Sequence, residues 1–389
     1  MSRDSHPDLV HFALAVGGFA IGTTEFATMS LLPYFARDLG ISAPVAGHVI
    51  SAYALGVVLG APLIAVLAAK MARRTLLIGL MLVFALGNGL TGLSQNYEAM
   101  MLFRFLSGLP HGAYFGVAML VAASLVPHER RAQASARVLM GLTVATIIGV
   151  PCANWLGQAI GWRWGFAIVA VLALATATLV ALFAPRQPPE EGASARAELA
   201  ALGNRDVLLT LAIGAIGFGG FFAIYTYLAD TLLTVTRMPE SLTPLVFAIF
   251  GAGMMTGLVV VPRYANGRIM AVAGGCLLWF AATMALYSFL TGNAVTIILA
   301  VFLVGLGGAL GPVLQTRLMD VAGRAQTLAA ALNHSAFNTA NALGPLLGGL
   351  AIAHGLGLSS TGLVGSVLAL AGFAIWAVAW KTGPKDKAS

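Results

Sequence analysis

The segment LVHFALAVGGFAIGTTEFATMSLLP, residues 9–33, is almost entirely apolar and carries one acidic residue, Glu25, well inside it. About 20 apolar residues are enough to cross roughly 30 Å of hydrocarbon as an α-helix. Eleven more such stretches follow, numbered here 2 to 12 in chain order: 44–69, 75–94, 98–124, 132–158, 163–184, 206–232, 241–262, 267–290, 293–319, 326–354 and 358–380. The sequence therefore predicts an all-α membrane protein with twelve transmembrane helices.

The Lys and Arg residues are distributed unevenly when successive connections are assigned to alternate sides of a membrane. One side receives seventeen of the 21 basic residues: Arg3, Lys70, Arg73, Arg74, Arg130, Arg131, Arg137, Arg186, Arg196, Arg205, Arg263, Arg268, Arg317, Arg324, Lys381, Lys385 and Lys387. The other side receives Arg37, Arg163 and Arg237, and Arg104 lies inside stretch 4. Cytoplasmic loops carry an excess of basic residues, so both termini are predicted to be cytoplasmic.

Composition excludes several classes of protein. Charged residues make up 9% of the chain and hydrophobic residues 59%, with a mean hydropathy of +0.90, whereas soluble domains have about 25% charged residues. The net charge of +7 is scattered through short loops, which does not favour nucleic-acid binding. The chain has no phosphate-binding Gly-x-x-x-x-Gly-Lys-Ser/Thr motif, so it is not predicted to carry its own ATPase, and any energy it uses must come from an ion or solute gradient. Cys152 and Cys276 lie in predicted helices and are interpreted as packing residues, and we predict no metal or cofactor.

The longest connection, 185–205, is rich in proline and charge and has six stretches on either side. It predicts a six-helix bundle over 1–184, a cytoplasmic linker over 185–205 and a second six-helix bundle over 206–389. Paired bundles of this kind hold a small-molecule site near the membrane midplane and move solute by alternating access.

A weak internal sequence similarity supports two pseudo-symmetric halves. Gly149 and Pro151 in stretch 5 are matched by Gly344 and Pro345 in stretch 11, the same position within each half.

Glu25 is the acidic residue placed deepest in a predicted helix. A carboxylate at that depth costs at least about 2.5–3.5 kcal/mol on insertion scales unless it faces water or a partner. Surroundings of low dielectric constant favour the neutral form of a carboxyl, so the group can exchange a proton there. We predict that Glu25 couples transport to protons and contacts substrate; the alternative is a permanently protonated structural carboxyl.

Arg104 is the strong cation inside a predicted helix. At 100° per residue it shares a face of stretch 4 with Gly108, His111 and Phe115. Arg104 could balance an ionised Glu25, anchor an anionic substrate group, or bond to backbone carbonyls, and the sequence does not choose among these. His111 could relay protons near neutral pH, or it is a hydrogen-bonded packing residue.

Stretch 11 is unusually polar. His334, Asn338, Asn341 and Pro345 lie on one face within about 60° of each other. We predict that this face lines the transport path and contacts substrate; hydrogen bonding between helices is the competing interpretation.

Stretch 7 carries an aromatic series at helical spacing: Phe218, Phe221, Phe222 and Tyr225. Such a stripe is more often packing or lipid-facing surface than a ligand wall, and Tyr225 is its candidate substrate contact. Asp230, near the end of the stretch, is expected to be solvated, with a gate or an entry charge as the alternatives.

Four groups of residues form a recognisable pattern: Phe19–Phe26 through Pro33, the segment 65–74, Arg104 with Gly108, and Gly141, Gly149 and Pro151. With this pattern the chain resembles the major facilitator superfamily, and within it the drug:proton antiporter branch that contains arabinose-efflux-type and chloramphenicol-efflux-type permeases. The resemblance implies the major facilitator fold, proton-driven antiport, a monomer, and roles for Arg104 in proton coupling and for stretch 5 in antiport.

The segment 65–74 departs from the family's loop motif. Ala69 stands where the motif has Asp, and Ala65 and Ala72 stand where it has Gly. The basic residues Lys70, Arg73 and Arg74 are therefore expected to contact helix ends or lipid phosphates. The predicted gating residues are Lys70, Arg73, Arg74, Gly149, Pro151 and Asp230.

The sequence thus predicts a proton-driven exporter of a small organic compound, drug or sugar-like, in the inner membrane. A proton-coupled uptake symporter or a uniporter stays open, because Pro151-Cys152-Ala153-Asn154 lacks the trailing glycines of the antiporter motif. A membrane enzyme or sensor is disfavoured, since the chain shows neither clustered catalytic groups nor an output domain.

Overall fold

A computed structural model describes residues 7–67, 71–127, 131–186, 203–265, 268–322 and 326–383. Its regular structure consists of helices, which we number in chain order: α1 Pro7–Ser30, α2 Leu32–Asp38, α3 Ala43–Leu67, α4 Arg73–Leu93, α5 Tyr97–Ser124, α6 Arg131–Val144, α7 Val150–Ala159, α8 Arg163–Phe183, α9 Arg205–Gly217, α10 Gly219–Asp230, α11 Thr243–Val260, α12 Ile269–Leu290, α13 Ala294–Leu306, α14 Leu310–Val321, α15 Gln326–Ala351 and α16 Ser360–Thr382. Lys70, Arg196 and most of the predicted linker lie outside the described residues.

Eleven segments of the described chain are long and apolar enough to cross a membrane. They coincide with all the predicted stretches except the eleventh. That stretch forms α15, a helix of 26 residues, whose asparagines and His334 lower its hydropathy. Multiple membrane-spanning helices are therefore confirmed, and the count of twelve stays a prediction.

Several predicted stretches are interrupted. Leu31 separates α1 from α2, which starts with a proline in its first turn. A π-helical segment, Ala145–Gly149, joins α6 to α7, and a 3₁₀ turn, Gly307–Ala309, joins α13 to α14. Proline favours a helix start because it lacks the N–H that a helix interior requires. The unbroken helices predicted for these stretches were wrong in this detail.

Two helix crossings bring backbones into direct contact through glycine. At the crossing of α3 and α5, a Cβ would overlap a backbone oxygen of the facing helix at three positions: Gly56, Gly60 and Gly108. The crossing of α11 and α13 has the same arrangement at Gly253, Gly257 and Gly305. Small residues allow close helix approach inside a membrane, so we interpret these glycines as packing residues. Cys276 is buried as predicted, but Cys152 is exposed on α7, so its predicted packing role was wrong.

Helices from the two ends of the chain pack against each other. Along α3, the Ser51 hydroxyl donates to the carbonyl oxygen of Ala342 in α15 at 2.8 Å. On α1, the ring of Phe26 lies 6.2 Å from that of Phe222 in α10. This interface, formed by α1 and α3 on one side and α10 and α15 on the other, positions the candidate site.

Candidate transport site

Glu25 lies in the interface between α1 and α15. Its side chain is 6% exposed, and the Asn341 Nδ2 donates to its Oε1 at 3.1 Å. Asn341 is itself fully buried, and its Oδ1 has no hydrogen-bond partner among the described residues. Two predicted site residues, more than 300 positions apart in the sequence, are thus brought together.

Arg104 is fully buried and is held by side chains from other helices. Its Nη1 donates to the Thr24 Oγ1 at 3.1 Å, and its guanidinium carbon lies 4.1 Å from the centre of the Tyr53 ring. Its Nε and Nη2 find no acceptor in the described parts of the chain. Arg104 does not form an ion pair with Glu25 in the structure as described, although the two groups lie within electrostatic reach.

Thr24 belongs to a second, neutral layer behind Arg104. Its hydroxyl donates to the Asn88 Oδ1 at 2.6 Å, and the Asn88 Nδ2 donates to the carbonyl oxygen of Phe84 at 2.9 Å. Thr24 and Asn88 are both buried. The sequence analysis did not name Thr24, Asn88 or Tyr53; an Asn inside the apolar stretch 3 was the signal that could have found this network.

The residues of α5 that helical periodicity places on one face do lie together, facing α3 and, further along, α15. Gly108 meets the Tyr53 carbonyl, and the His111 Nδ1 lies 2.9 Å from the Tyr53 hydroxyl. Further along this face, Phe115 stacks on His334 of α15, with ring centres 5.2 Å apart and planes within 1°. His111 therefore has a hydrogen-bonded partner, and its role in proton transfer stays a prediction.

The polar face of α15 points into protein, as expected. His334 stacks on Phe115 of α5, and the Pro345 carbonyl accepts a hydrogen bond from the Tyr227 hydroxyl of α10 at 2.8 Å. The Asn338 Nδ2 donates to the carbonyl of His334 in its own helix at 2.9 Å. The Asn338 Oδ1 is buried without a partner among the described residues, which leaves it able to accept from a ligand.

The aromatic series that begins at Phe218, just before α10, lies in the interior. Phe218, Phe221, Phe222 and Tyr225 are all at most 5% exposed, so the lipid-facing alternative was wrong. Aromatic residues on α1, α11, α12 and α15 pack against them. Tyr225 packs edge-on to Phe26 at 5.5 Å and to Phe250 at 4.8 Å. Its hydroxyl is buried and unpartnered in the described structure.

The predicted gating residues occupy separate places. Arg74 donates to the carbonyl oxygen of Ala181 near the end of α8, which is the helix-end contact expected for it. Arg73 is the first residue of α4. A Cβ at Gly149 would overlap the Thr23 hydroxyl, and Pro151 lies in the first turn of α7. These contacts leave the gating roles as predictions.

Asp230 differs from expectation. It ends α10, and its Oδ2 is buried without a hydrogen-bond donor from the described residues. Asp230 is half-buried, so the expectation of a fully solvated carboxylate was wrong, and α2 packs against α10. Arg37 of α2 is within electrostatic reach of the carboxylate.

The chain was compared with known protein families, curated proteins and solved structures. The family model of the Major Facilitator Superfamily matches residues 14–290. The chain belongs to the major facilitator superfamily. The Inner membrane transport protein YdhP of Escherichia coli K12 is 41% identical over 362 residues, which is 92% of each chain. The Chloramphenicol resistance protein of Streptomyces lividans is 35% identical, with 96% of this chain and 98% of that protein covered.

The fold is shared with a solved transporter. The crystal structure of a bacterial homolog of the human lysosomal transporter Spinster matches with a TM-score of 0.72 and 17% identity, covering 98% of each chain. This superfamily member is therefore a multi-pass inner-membrane transporter and not an enzyme, and a small-molecule substrate and the lipid bilayer are its implied partners.

Proposed function

We propose that this transporter is a proton-coupled antiporter that exports a small organic compound, drug or sugar-like, with Glu25 as the proton carrier. The observation that supports this most is the Glu25–Asn341 contact between α1 and α15. A carboxylate can only accept a hydrogen bond, whereas a protonated carboxyl can also donate one. The unpartnered Asn341 Oδ1 offers an acceptor for that donor, so binding of a proton changes the contact between the two helices.

Alternating access requires such a link between chemistry and helix contacts. We place α1 and α15 in opposite six-helix bundles, 1–184 and 206–389, with both termini in the cytoplasm and a monomer as the working unit. Rocking of the bundles would open the interface to one side of the membrane at a time. Arg73, Arg74, Gly149, Pro151 and Asp230, with Lys70 beyond the described residues, are the proposed gating positions.

The substrate is proposed to bind in the same interface. Arg104 has unpartnered N–H groups, and Tyr225 and Asn338 have unpartnered oxygens, all of them buried. Buried polar atoms are normally hydrogen-bonded, so unpartnered ones are candidates to meet a ligand. Together with Glu25, His334 and Asn341, and with the aromatic wall around Tyr225, they suit a polar compound with an aromatic or apolar part. Similarity to a chloramphenicol resistance protein supports export of such a compound.

The proton gradient supplies sufficient free energy. One proton moving down 100 mV releases about 2.3 kcal/mol, enough for roughly a fiftyfold substrate gradient.

The test uses purified protein in proteoliposomes with an imposed pH gradient, acidic outside, and labelled chloramphenicol or labelled monosaccharides as probes. Antiport predicts that the gradient drives the probe out. Glu25→Gln should abolish gradient-driven movement while the protein stays folded, because an amide cannot exchange a proton. The matched control is Asp38→Asn, which removes an exposed carboxylate paired with Arg163 and should transport normally. Gradient-driven export that persists in Glu25→Gln would refute Glu25 as the carrier.

One observation favours the alternative of a proton-coupled uptake symporter or uniporter. Asn154 stands where the antiporter motif has small residues. Its Nδ2 donates a hydrogen bond to the carbonyl oxygen of Ser30 at 2.8 Å, which links α7 to the end of α1. In the same proteoliposomes, a symporter would accumulate the probe under the acid-outside gradient, and a uniporter would ignore the gradient.

A further inference from the structure

Arg104 is held on one side by hydrogen bonds whose directions are fixed. The Asn88 Nδ2 donates to the Phe84 carbonyl, so its amide oxygen must face Thr24. The Thr24 hydroxyl donates its single hydrogen to that oxygen, at a distance of 2.6 Å. A hydroxyl has one donor and two acceptor positions, so Thr24 presents only a lone pair to Arg104.

Tyr53 holds the guanidinium through its ring. The guanidinium carbon lies over the ring face at 4.1 Å, a geometry in which the ring quadrupole attracts a cation. Arg104 is therefore fixed by α1, α3 and α4, while α5 carries it. Two of its nitrogen atoms remain unpartnered within the described structure, although Glu25 lies within electrostatic reach.

The position of Arg104 controls how readily Glu25 can bind a proton. An arginine that pairs directly with a carboxylate stabilises the ionised form, which lowers the proton affinity of the carboxyl. Such an ion pair in a membrane interior would keep Glu25 charged and would remove its ability to carry protons at physiological pH. In the structure the Glu25 carboxyl group instead accepts a hydrogen bond from the amide of Asn341.

We propose that Asn88 is a positioning residue that, through Thr24, holds Arg104 away from Glu25 and so keeps this carboxyl available for protonation. The inference rests on the proposed function, in which Glu25 carries the proton. It predicts that freeing Arg104 makes protonation of Glu25 harder, so that half-protonation occurs at a lower pH.

Few charged or titratable groups lie close to Glu25. Tyr53 faces it from α3, Arg104 from α5 and the neutral Asn341 from α15. Of the other elements packed on α1, α2 carries Arg37 and Asp38, but neither acts on Glu25, and α6, α7, α8, α10 and the segment Ala145–Gly149 add no charged group to this described set. A shift caused by loss of the Thr24 bond is therefore assigned to Arg104.

The experiment needs no substrate. Reconstituted full-length protein is titrated by infrared spectroscopy, following the C=O band of the protonated Glu25 carboxyl, which is identified by its loss in Glu25→Gln. Thr24→Val removes the acceptor for Arg104 and should move the midpoint to lower pH by about one unit, a tenfold loss of proton affinity. Asn88→Leu should move it in the same direction by a smaller amount, and it provides a second route if Thr24→Val does not fold.

Three controls separate positioning from general damage. Thr24→Ser keeps the hydroxyl and should titrate like the wild type. Thr91→Val removes a fully buried hydroxyl of α4 that donates only within its own helix and should cause no shift. In an Arg104→Leu background, Thr24→Val should add no further shift, because the effect acts through Arg104.

The outcomes are distinct. A midpoint that stays in place or rises in Thr24→Val overturns the positioning of Arg104, and a midpoint that stays in place or rises in Asn88→Leu overturns the role of Asn88. Gradient-driven export by Glu25→Gln would instead overturn the proposed function, whatever the titration shows.

Discussion

The crossing of α3 with α5 and the crossing of α11 with α13 share a backbone arrangement but not a chemistry. Gly56, Gly60 and Gly108 in the first correspond in spacing to Gly253, Gly257 and Gly305 in the second. Counting back from these glycines, Arg104 corresponds to Val301 and Tyr53 to Phe250. The first crossing thus holds a buried cation on an aromatic ring, and the second holds apolar and aromatic side chains.

This difference shows how one packing solution can serve two purposes. The glycines fix the approach of two helices, and the side chains beside them are free to differ. Next to Arg104, Thr24 and Asn88 provide neutral hydrogen-bonding groups. In the second crossing, the ring of Phe250 instead packs on Tyr225 and Phe221. We interpret the first crossing as the proton-handling part of the interface and the second as support for the aromatic wall of the substrate site.

The largest effect is expected from placing an additional charge in the second crossing. Val301 is fully buried, and Val301→Arg would place a cation beside Phe250 without the hydrogen bonds that Thr24 gives Arg104. An uncompensated buried charge costs about 3–5 kcal/mol, so this variant should not yield monodisperse folded protein in detergent. The control is Val295→Arg at the start of α13, where the side chain is 76% exposed. Normal yield and melting temperature for Val301→Arg would show that the second crossing tolerates charge, and the comparison would fail.

A smaller loss is expected from filling the crossings. Gly108→Ala and Gly305→Ala should each destabilise the protein by about 1–3 kcal/mol, because the added methyl group meets a backbone oxygen that cannot move away. Gly116→Ala is the control in α5, since a Cβ there has open space and should stabilise the helix by about 0.5–1 kcal/mol. Thermal unfolding monitored by intrinsic fluorescence measures all three. If Gly108→Ala and Gly116→Ala behaved alike, close backbone contact would not be what holds the first crossing together.

Periodicity made one part of the site predictable from sequence. Because residues on one helix face recur every three or four positions, Arg104, Gly108 and His111 could be placed together, and the structure puts all three against Tyr53. The same argument placed Asn341 on the inward face of α15. A buried Glu25 followed from the cost of placing a carboxylate in lipid.

Contacts between distant helices could not be predicted in this way. No spacing rule connects Glu25 with Asn341 or Thr24 with Asn88, because these pairs depend on how helices are arranged around each other. The buried oxygen of Asp230 was missed for the same reason, since α2 packs against α10 and brings Arg37 within electrostatic reach of the carboxylate. The sequence indicated which residues are costly to bury, and tertiary packing decided which partner each of them met.

The smallest effect on stability is expected from removing the hydroxyl group of either of two buried tyrosines. Tyr53 in the first crossing has its hydroxyl 2.9 Å from the His111 Nδ1, whereas the Tyr225 hydroxyl beside the second crossing has no partner in the described structure. Tyr53→Phe removes a hydrogen bond and should cost about 1 kcal/mol of stability. Tyr225→Phe removes a hydroxyl that was unpaired, so stability should stay the same or rise slightly.

Transport should respond in the opposite order. If the Tyr225 hydroxyl is unpaired because a ligand bonds to it, Tyr225→Phe should raise the KM for the chloramphenicol or sugar probe severalfold, in line with the loss of one hydrogen bond to a ligand. Tyr53→Phe keeps the ring over Arg104 and should leave that KM nearly unchanged. Melting curves and probe transport measured on the same preparations test both statements. An unchanged KM in Tyr225→Phe, together with unchanged stability, would mean that this hydroxyl meets neither protein nor substrate, and the second crossing would then lose its proposed part in recognition.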